Sequence, residues 1–168
     1  YNLTKHGNRK VIFILGKGQL LNQSIVSKKP NALFCEATCP VKVIEIAEEQ
    51  FLQLMEQSHA LTRAVLREYE RNLWRMGHQL KNTTGNMQME RKIAAKLWKL
   101  GRDFGVDTED GVMIDIDLTI TLMADLVGAP RENVSRACKV LTDRGLIRYG
   151  NKRFTLTDSD GLADFYKM

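Results

Sequence analysis

The stretch from Thr119 to Leu141 limits the fold more than any other part of the chain, because its spacing suits two helices joined by a tight corner. Thr119 can cap a helix through Leu126, and "VGA" at 127–129 makes the corner, with Gly128 permitting the turn. Pro130 then opens a second helix that reaches about Arg144. Ala124 is small where the two helices nearly touch, while Val134, Cys138 and Leu141 recur on one face of the second helix and close a core. Next, "LIRYGNKRFTL" reads as two short β runs around Gly150–Asn151, a Gly-X pair suited to a two-residue turn. Helix, corner, helix and basic hairpin make a winged helix-turn-helix.

This arrangement leaves Arg131, Glu132, Ser135 and Arg136 pointing away from the core. The positive end of a helix macrodipole favours acids, so arginines in the opening turns call for a negative partner outside the chain. Charge location agrees. Between Arg131 and Arg153 lie seven bases and two acids, which accounts for the whole formal net charge of +5. Such a surface attracts polyanions, nucleic acid first among them. Arginine can take guanine O6 and N7 together, and glutamate can accept from cytosine N4. Thr119 and Asn133 suit phosphate contacts, as do Arg148, Lys152 and Arg153 on the wing. Lys139 and Arg144 fit plain solvent exposure equally well.

Upstream, residues 10–15, 32–38 and 41–46 have the apolar, β-branched character of strands, separated by "GKG" and "KKPN". "GKGQ" lacks the length and the Lys-Ser/Thr ending of a phosphate loop and reads as a turn. After Ser58, a cap, a long helix runs to about Leu80. Its apolar positions Leu66, Tyr69, Leu73, Met76 and Leu80 step by three and four residues, a heptad seam that suits a partner helix in a parallel dimer. Packing of the seam on the chain's own sheet is the alternative. "KNTTGN" at 81–86 weakens the helix and marks a hinge near Gly85. Ile93, Ala94, Leu97, Leu100 and Phe104 then mark one face of a helix ended by Gly105, and "VMIDID" at 112–117 alternates as a short strand. The expected domains are 1–57, the end of an effector-sensing sheet; 58–86, the dimerisation helix and hinge; and 87–168, the winged unit.

Several classes are set aside. At 168 residues and 43% hydrophobic the chain can bury a core, and no apolar run approaches the length of a membrane span. Three cysteines, Cys35, Cys39 and Cys138, lack a disulfide-framework spacing and point to a reducing cytoplasm. Cys35, beside Phe34, reads as a buried small hydrophobe, and a redox pairing with Cys39 is the less favoured alternative. His6, His59 and His78 are scattered, so no metal site is expected. No nucleophile, paired-carboxylate or phosphate-loop constellation points to an enzyme. Tyr1 is preceded by no initiator methionine, which implies a start inside a longer protein.

These residues carry a resemblance to the Crp/Fnr family of bacterial transcription regulators. "GAPRENVSRACKVLTDRGLI" resembles the family's recognition helix and the approach to its wing, while "ALFCEATCPVKVIEI" with "QFLQLM" resembles the end of its sensor barrel and the helix that follows. The resemblance covers essentially the whole chain and implies an α+β architecture: a partial cupin-like β-barrel of the cyclic-nucleotide-binding type, a long dimerisation helix and a C-terminal winged helix-turn-helix. It implies a homodimer on double-stranded DNA, with RNA polymerase as a further partner. It assigns base reading to Glu132 and Arg136, which match the glutamate and arginine shared across the family. Arg131 matches the cyclic-AMP-responsive branch and Ser135 the oxygen-responsive Fnr branch, making the helix a hybrid.

The sensor departs from the family pattern. Where cyclic-nucleotide members carry Gly-Glu and Arg-Ser pairs, this chain has Asn22–Gln23 and Asn31–Ala32. A buried phosphate would lack its arginine, so cyclic AMP is not expected. The cysteines of iron–sulfur members lie in an N-terminal segment that this sequence does not show. The effector stays unassigned, with a haem, an iron–sulfur cluster and a small metabolite all open. The alternative function is a ligand-sensing or protein-interaction module that has lost DNA binding.

Overall fold

The structure, a computed structural model, describes residues 1–167 except 4, 6, 8, 23, 27, 28, 32 and 84–86. It is α+β and divides into two units, residues 12–83 with 1–2, and residues 84–168 with 3–11. The hinge expected near Gly85, and Gln23 and Ala32 of the altered sensor pairs, lie outside the described residues.

In the first unit α1 (Glu48–Gln57) leads into α2 (His59–Thr83) through one residue. Ser58 serves both helices, its amide closing α1 on Leu54 O at 3.0 Å and its hydroxyl accepting from the Leu61 amide at 3.2 Å. That is the cap expected from sequence. "GKGQ" is a turn, with Gly18 at φ 76° and the Gly16 amide donating to Gln19 Oε1 at 2.6 Å.

The runs read as strands at 10–15, 32–38 and 41–46 are the main departure. Strand pairing at the N-terminus is confined to β1 (Asn2–Leu3) and β2 (Arg9–Lys10), and the described residues between Val11 and Ala47 form no ladder. Tyr1 and Phe34 exchange backbone hydrogen bonds at 2.8 and 2.9 Å and stack their rings. Strand composition makes a sheet only when neighbours take up the backbone groups and cover the apolar face. Here Val41, Val43 and Ile44 are exposed, the last at 86%, and the barrel is not closed. Cys35 is likewise exposed, not buried as its apolar context implied.

The second unit is built on α3 (Met89–Phe104), whose Ile93, Ala94, Leu97 and Leu100 are buried as the spacing predicts. There follow β3 (Gly105–Thr108), β4 (Gly111–Ile114), α4 (Ile120–Val127), α5 (Arg131–Asp143), β5 (Ile147–Gly150), β6 (Arg153–Leu156) and α6 (Ser159–Lys167). The four strands form one antiparallel sheet in the order β3-β4-β6-β5. At the β3–β4 turn Gly111 has φ 117°, and a Cβ there would lie 2.2 Å from the Leu156 carbonyl oxygen, so only glycine fits. Phe154, Ile114, Met123, Val134, Leu141 and Leu162 are buried together with the α3 face and make the core. From α3 onward, two elements escaped the sequence reading. β3 is exposed at every position and shows no alternation, and α6 is a nine-residue helix whose first turn contains Gly161.

Candidate nucleic-acid interface

The corner forms for the reasons its residues imply. Thr119 Oγ1 accepts from the Leu122 amide at 3.0 Å, which caps α4 and leaves the hydroxyl proton for an outside acceptor. At the other end Gly128 adopts the left-handed conformation, φ 74° and ψ 48°, and its amide and that of Ala129 both reach Ala124 O. Ala124 is buried, and Val134, Cys138 and Leu141 of α5 close over α4. Burial pushes the Cys138 thiol from 9.0 up to about 11, in keeping with a packing role.

Pro130 opens α5 without a side-chain cap, and its carbonyl takes the Asn133 and Val134 amides, leaving those of Arg131 and Glu132 without a partner among the described residues. Around them Arg131, Glu132, Ser135 and Arg136 are all exposed, on the face opposite Val134, Ala137 and Cys138. Asn133 is half-buried and its Oδ1 accepts from Arg136 Nη2 at 2.5 Å. A residue read as a phosphate contact therefore also orients a base-reading arginine. Lys139 is exposed, while Arg144 lies over the Phe165 ring of α6 at 4.9 Å.

On the wing the turn falls one residue later than expected. Asn151 and Lys152, not Gly150 and Asn151, occupy the two turn positions, both at positive φ (50° and 59°), and Gly150 pairs with Arg153. Positive φ at both positions defines a type I′ turn, which asparagine favours at the first. The Leu118 amide donates to the Lys152 carbonyl at 2.7 Å, so the wing tip is pinned to the residue before the Thr119 cap.

Charge on the wing also differs from a count along the segment. Arg148 pairs with Asp110 at 2.7 Å, and Arg153 pairs with Asp115 and approaches Asp117 at 4.0 Å. Those acids come from the β3–β4 turn and the loop before α4, outside residues 131–153. The alternation in "VMIDID" sets Asp115 and Asp117 on one side and was the available signal. Lys152 makes no ion pair with the described residues and carries the wing tip's uncompensated charge.

In the first unit, the seam residues Leu66, Leu73 and Leu80 are 60%, 68% and 65% exposed, Met76 is exposed and Tyr69 is half-buried. Among the described residues no sheet of this unit covers the seam. The face beside it holds Val65, Glu68 and Arg75, all buried, with Glu68 bonded to Arg71, a polar stripe that heptad reading did not single out.

The family model of the Crp-like helix-turn-helix domain matches residues 91–165. Residues 91–165 form a Crp-like helix-turn-helix domain. The chain that carries the Crp-like domain is 25% identical over 158 residues to the CRP-like cAMP-activated global transcriptional regulator of Mycobacterium tuberculosis, covering 94% of this chain and 70% of the relative. It is 27% identical over 120 residues to the global nitrogen regulator of a Nostoc species, covering 71% of this chain and 53% of the relative. Among solved structures, a CooA variant from Carboxydothermus hydrogenoformans is similar with a TM-score of 0.65 at 17% identity, over 70% of this chain and 54% of that one. A CRP/FNR-family regulator from Thermus thermophilus is similar with a TM-score of 0.54 at 22% identity, over 61% of this chain and 52% of that one. The aligned part thus spans about half the length of these solved chains, and the likeness at this identity is one of fold. The resemblance to Crp/Fnr transcription regulators read from the recognition helix holds for the Crp-like domain. No helix of the described residues is long and apolar enough to cross a membrane.

Proposed function

We propose that this chain is part of a homodimeric, sequence-specific regulator of transcription whose α5 enters the major groove of an inverted-repeat operator. The observation that carries the reading is the exposed set Arg131, Glu132, Ser135 and Arg136 around an uncapped helix start. The Arg131 and Glu132 amides and the guanidinium groups favour phosphates and guanine edges, while Glu132 can accept from cytosine N4. Thr119 and Lys152, joined through the Leu118 to Lys152 bond, would flank α5 with phosphate contacts, and Asn133, Arg148 and Arg153 would add to them. For Arg148 and Arg153 this requires exchanging a carboxylate for a phosphate.

Dimerisation rests on the exposed seam of α2, and two α5 helices about one DNA turn apart would read two half-sites. RNA polymerase is the further partner this role implies. The effector is left unnamed. The Mycobacterium tuberculosis relative is cAMP-activated, yet the arginine expected to meet a cyclic phosphate is absent from the matching stretch here.

Selection from a pool of random duplexes, followed by anisotropy titration of the enriched sequences, tests the proposal. The expected result is a two-fold-symmetric motif bound about a thousandfold or more tighter than random DNA. Enrichment of no motif, with affinity equal to that for random duplex, would remove DNA reading.

A further inference from the structure

The second unit includes a segment from the far end of the chain, Leu3–Val11. The last turn of an α-helix leaves carbonyl groups without donors from its own helix. In α4 the Ala124 carbonyl takes the amides of Gly128 and Ala129. The next two carbonyls are claimed from the N-terminal segment. Val11 N donates to Asp125 O at 3.1 Å, and Lys10 Nζ donates to Leu126 O at 2.9 Å, across 116 residues of sequence. Arg9 Nε lies 3.6 Å from Asp125 Oδ2, and Val11 is only 4% exposed. The Lys10 side chain also runs along the corner glycine, where a Cβ on Gly128 would sit 2.9 Å from Nζ. Three consecutive residues therefore hold one helix end and the corner that follows it.

We propose that Arg9–Val11 is a regulatory tether: docked on the end of α4 it keeps the α4–α5 corner in its DNA-reading geometry, and its release loosens that corner and weakens operator binding. A cation at a helix C-terminus complements the macrodipole, and a backbone donor from outside completes the hydrogen bonding of the last turn. The docking engages a short segment, which suits reversible release. Its contacts include these two hydrogen bonds, an ion pair with both side chains a quarter or more exposed, and one buried valine. Opposing forces are built in, since burial and the nearby Lys92 both push the Lys10 ammonium below its ordinary pKa. Anything that draws this segment away would shift the balance between docked and released forms. The docking stands on the contacts alone, whereas its consequence for DNA rests on the function proposed above.

Hydrogen exchange read by mass spectrometry across 118–131, beside operator affinity, tests the tether in wild type, Lys10→Ala and Val11→Pro. The first variant removes the ammonium and the second removes the amide donor. Exchange at Gly128 and Ala129 should quicken about tenfold in each, the effect of losing one contributing hydrogen bond. Protection across 162–167 in α6 should not move, which guards against general unfolding. Operator affinity should fall several-fold in step. Unchanged exchange at the corner in both variants, with DNA binding intact, would overturn the tether. Faster exchange with unaltered operator affinity would overturn its regulatory role. A wild-type chain that protects the corner yet binds no duplex would overturn the proposed function together with that role.

Discussion

The Leu118 amide and the Lys152 carbonyl meet at 2.7 Å, joining the tip of the wing to the start of α4. Through this bond two residues proposed to hold phosphate, Thr119 and Lys152, become neighbours, although they lie far apart in sequence. Lys152 holds its place at φ 59°, a conformation that opposes an L side chain by about 1 kcal/mol or more. The residue carries strain as well as charge, and the two can be separated.

Lys152→Gly should relieve the backbone and remove the charge. The expected outcome is a melting temperature equal to or above wild type, a gain of up to about 1 kcal/mol, with weaker binding to operator and random DNA alike. The salt slope should fall by about 0.9 for each phosphate that is no longer neutralised. Weakening confined to the operator would show that Lys152 touches a base, not a phosphate.

The exposed seam of α2 predicts assembly. Leu73→Glu combined with Met76→Glu places two charges where apolar side chains would interlock, so sedimentation should give a monomer with unchanged helical circular dichroism. A dimer that survives both changes would place the interface on another surface.

What could be read from sequence was whatever depends on neighbours in the chain. Thr119 caps and Gly128 turns because each answers a local backbone need, and the α3 face followed from period alone. Misread features depended on residues brought in from elsewhere. The wing turn slipped by one because Gly150 drew the reading, while the register that pairs Gly150 with Arg153 forces the turn onto Asn151 and Lys152. Arg148 and Arg153 read as phosphate contacts without their ion pairs, because Asp110 and Asp115 lie outside the basic segment in sequence and meet it only in the fold. The strand-like runs before Ala47 failed for the opposite reason, since a strand pattern states what a residue could bury but not what will cover it. Nothing in "RKV" foretells that it will hold the end of a helix 116 residues away.

Cys138 predicts an alkaline weakness. Well below pH 9 its thiol is protonated in both native and unfolded chains. Between pH 9 and about 11 the unfolded chain loses that proton while the buried native thiol keeps it, so stability falls as pH rises, by about 2–3 kcal/mol at the upper end. Melting temperatures from pH 8 to 11 should drop more steeply for wild type than for Cys138→Ala. At pH 8 a thiol reagent should modify the exposed Cys35 and Cys39 at once and Cys138 only on unfolding. Immediate reaction of all three would mean that the α4–α5 core opens readily.

Arg136 and Asn133 yield the most specific expectation. The guanidinium is held by the Asn133 carbonyl oxygen at 2.5 Å, which narrows its directions before any DNA arrives and reduces the freedom lost on gripping a guanine. Glu132 lies four residues before Arg136 on the same exposed face, so the two can read neighbouring base pairs. Arg136→Ala should cost about 1–3 kcal/mol on the selected operator and relax preference at one base position, with random-DNA affinity much less affected. Asn133→Ala should keep that preference and lower the affinity, because the arginine survives without its support. Selections run on wild type and both variants decide the matter: an unchanged motif from Arg136→Ala would take Arg136 out of the reading set, and a relaxed base preference from Asn133→Ala would make Asn133 itself a reader.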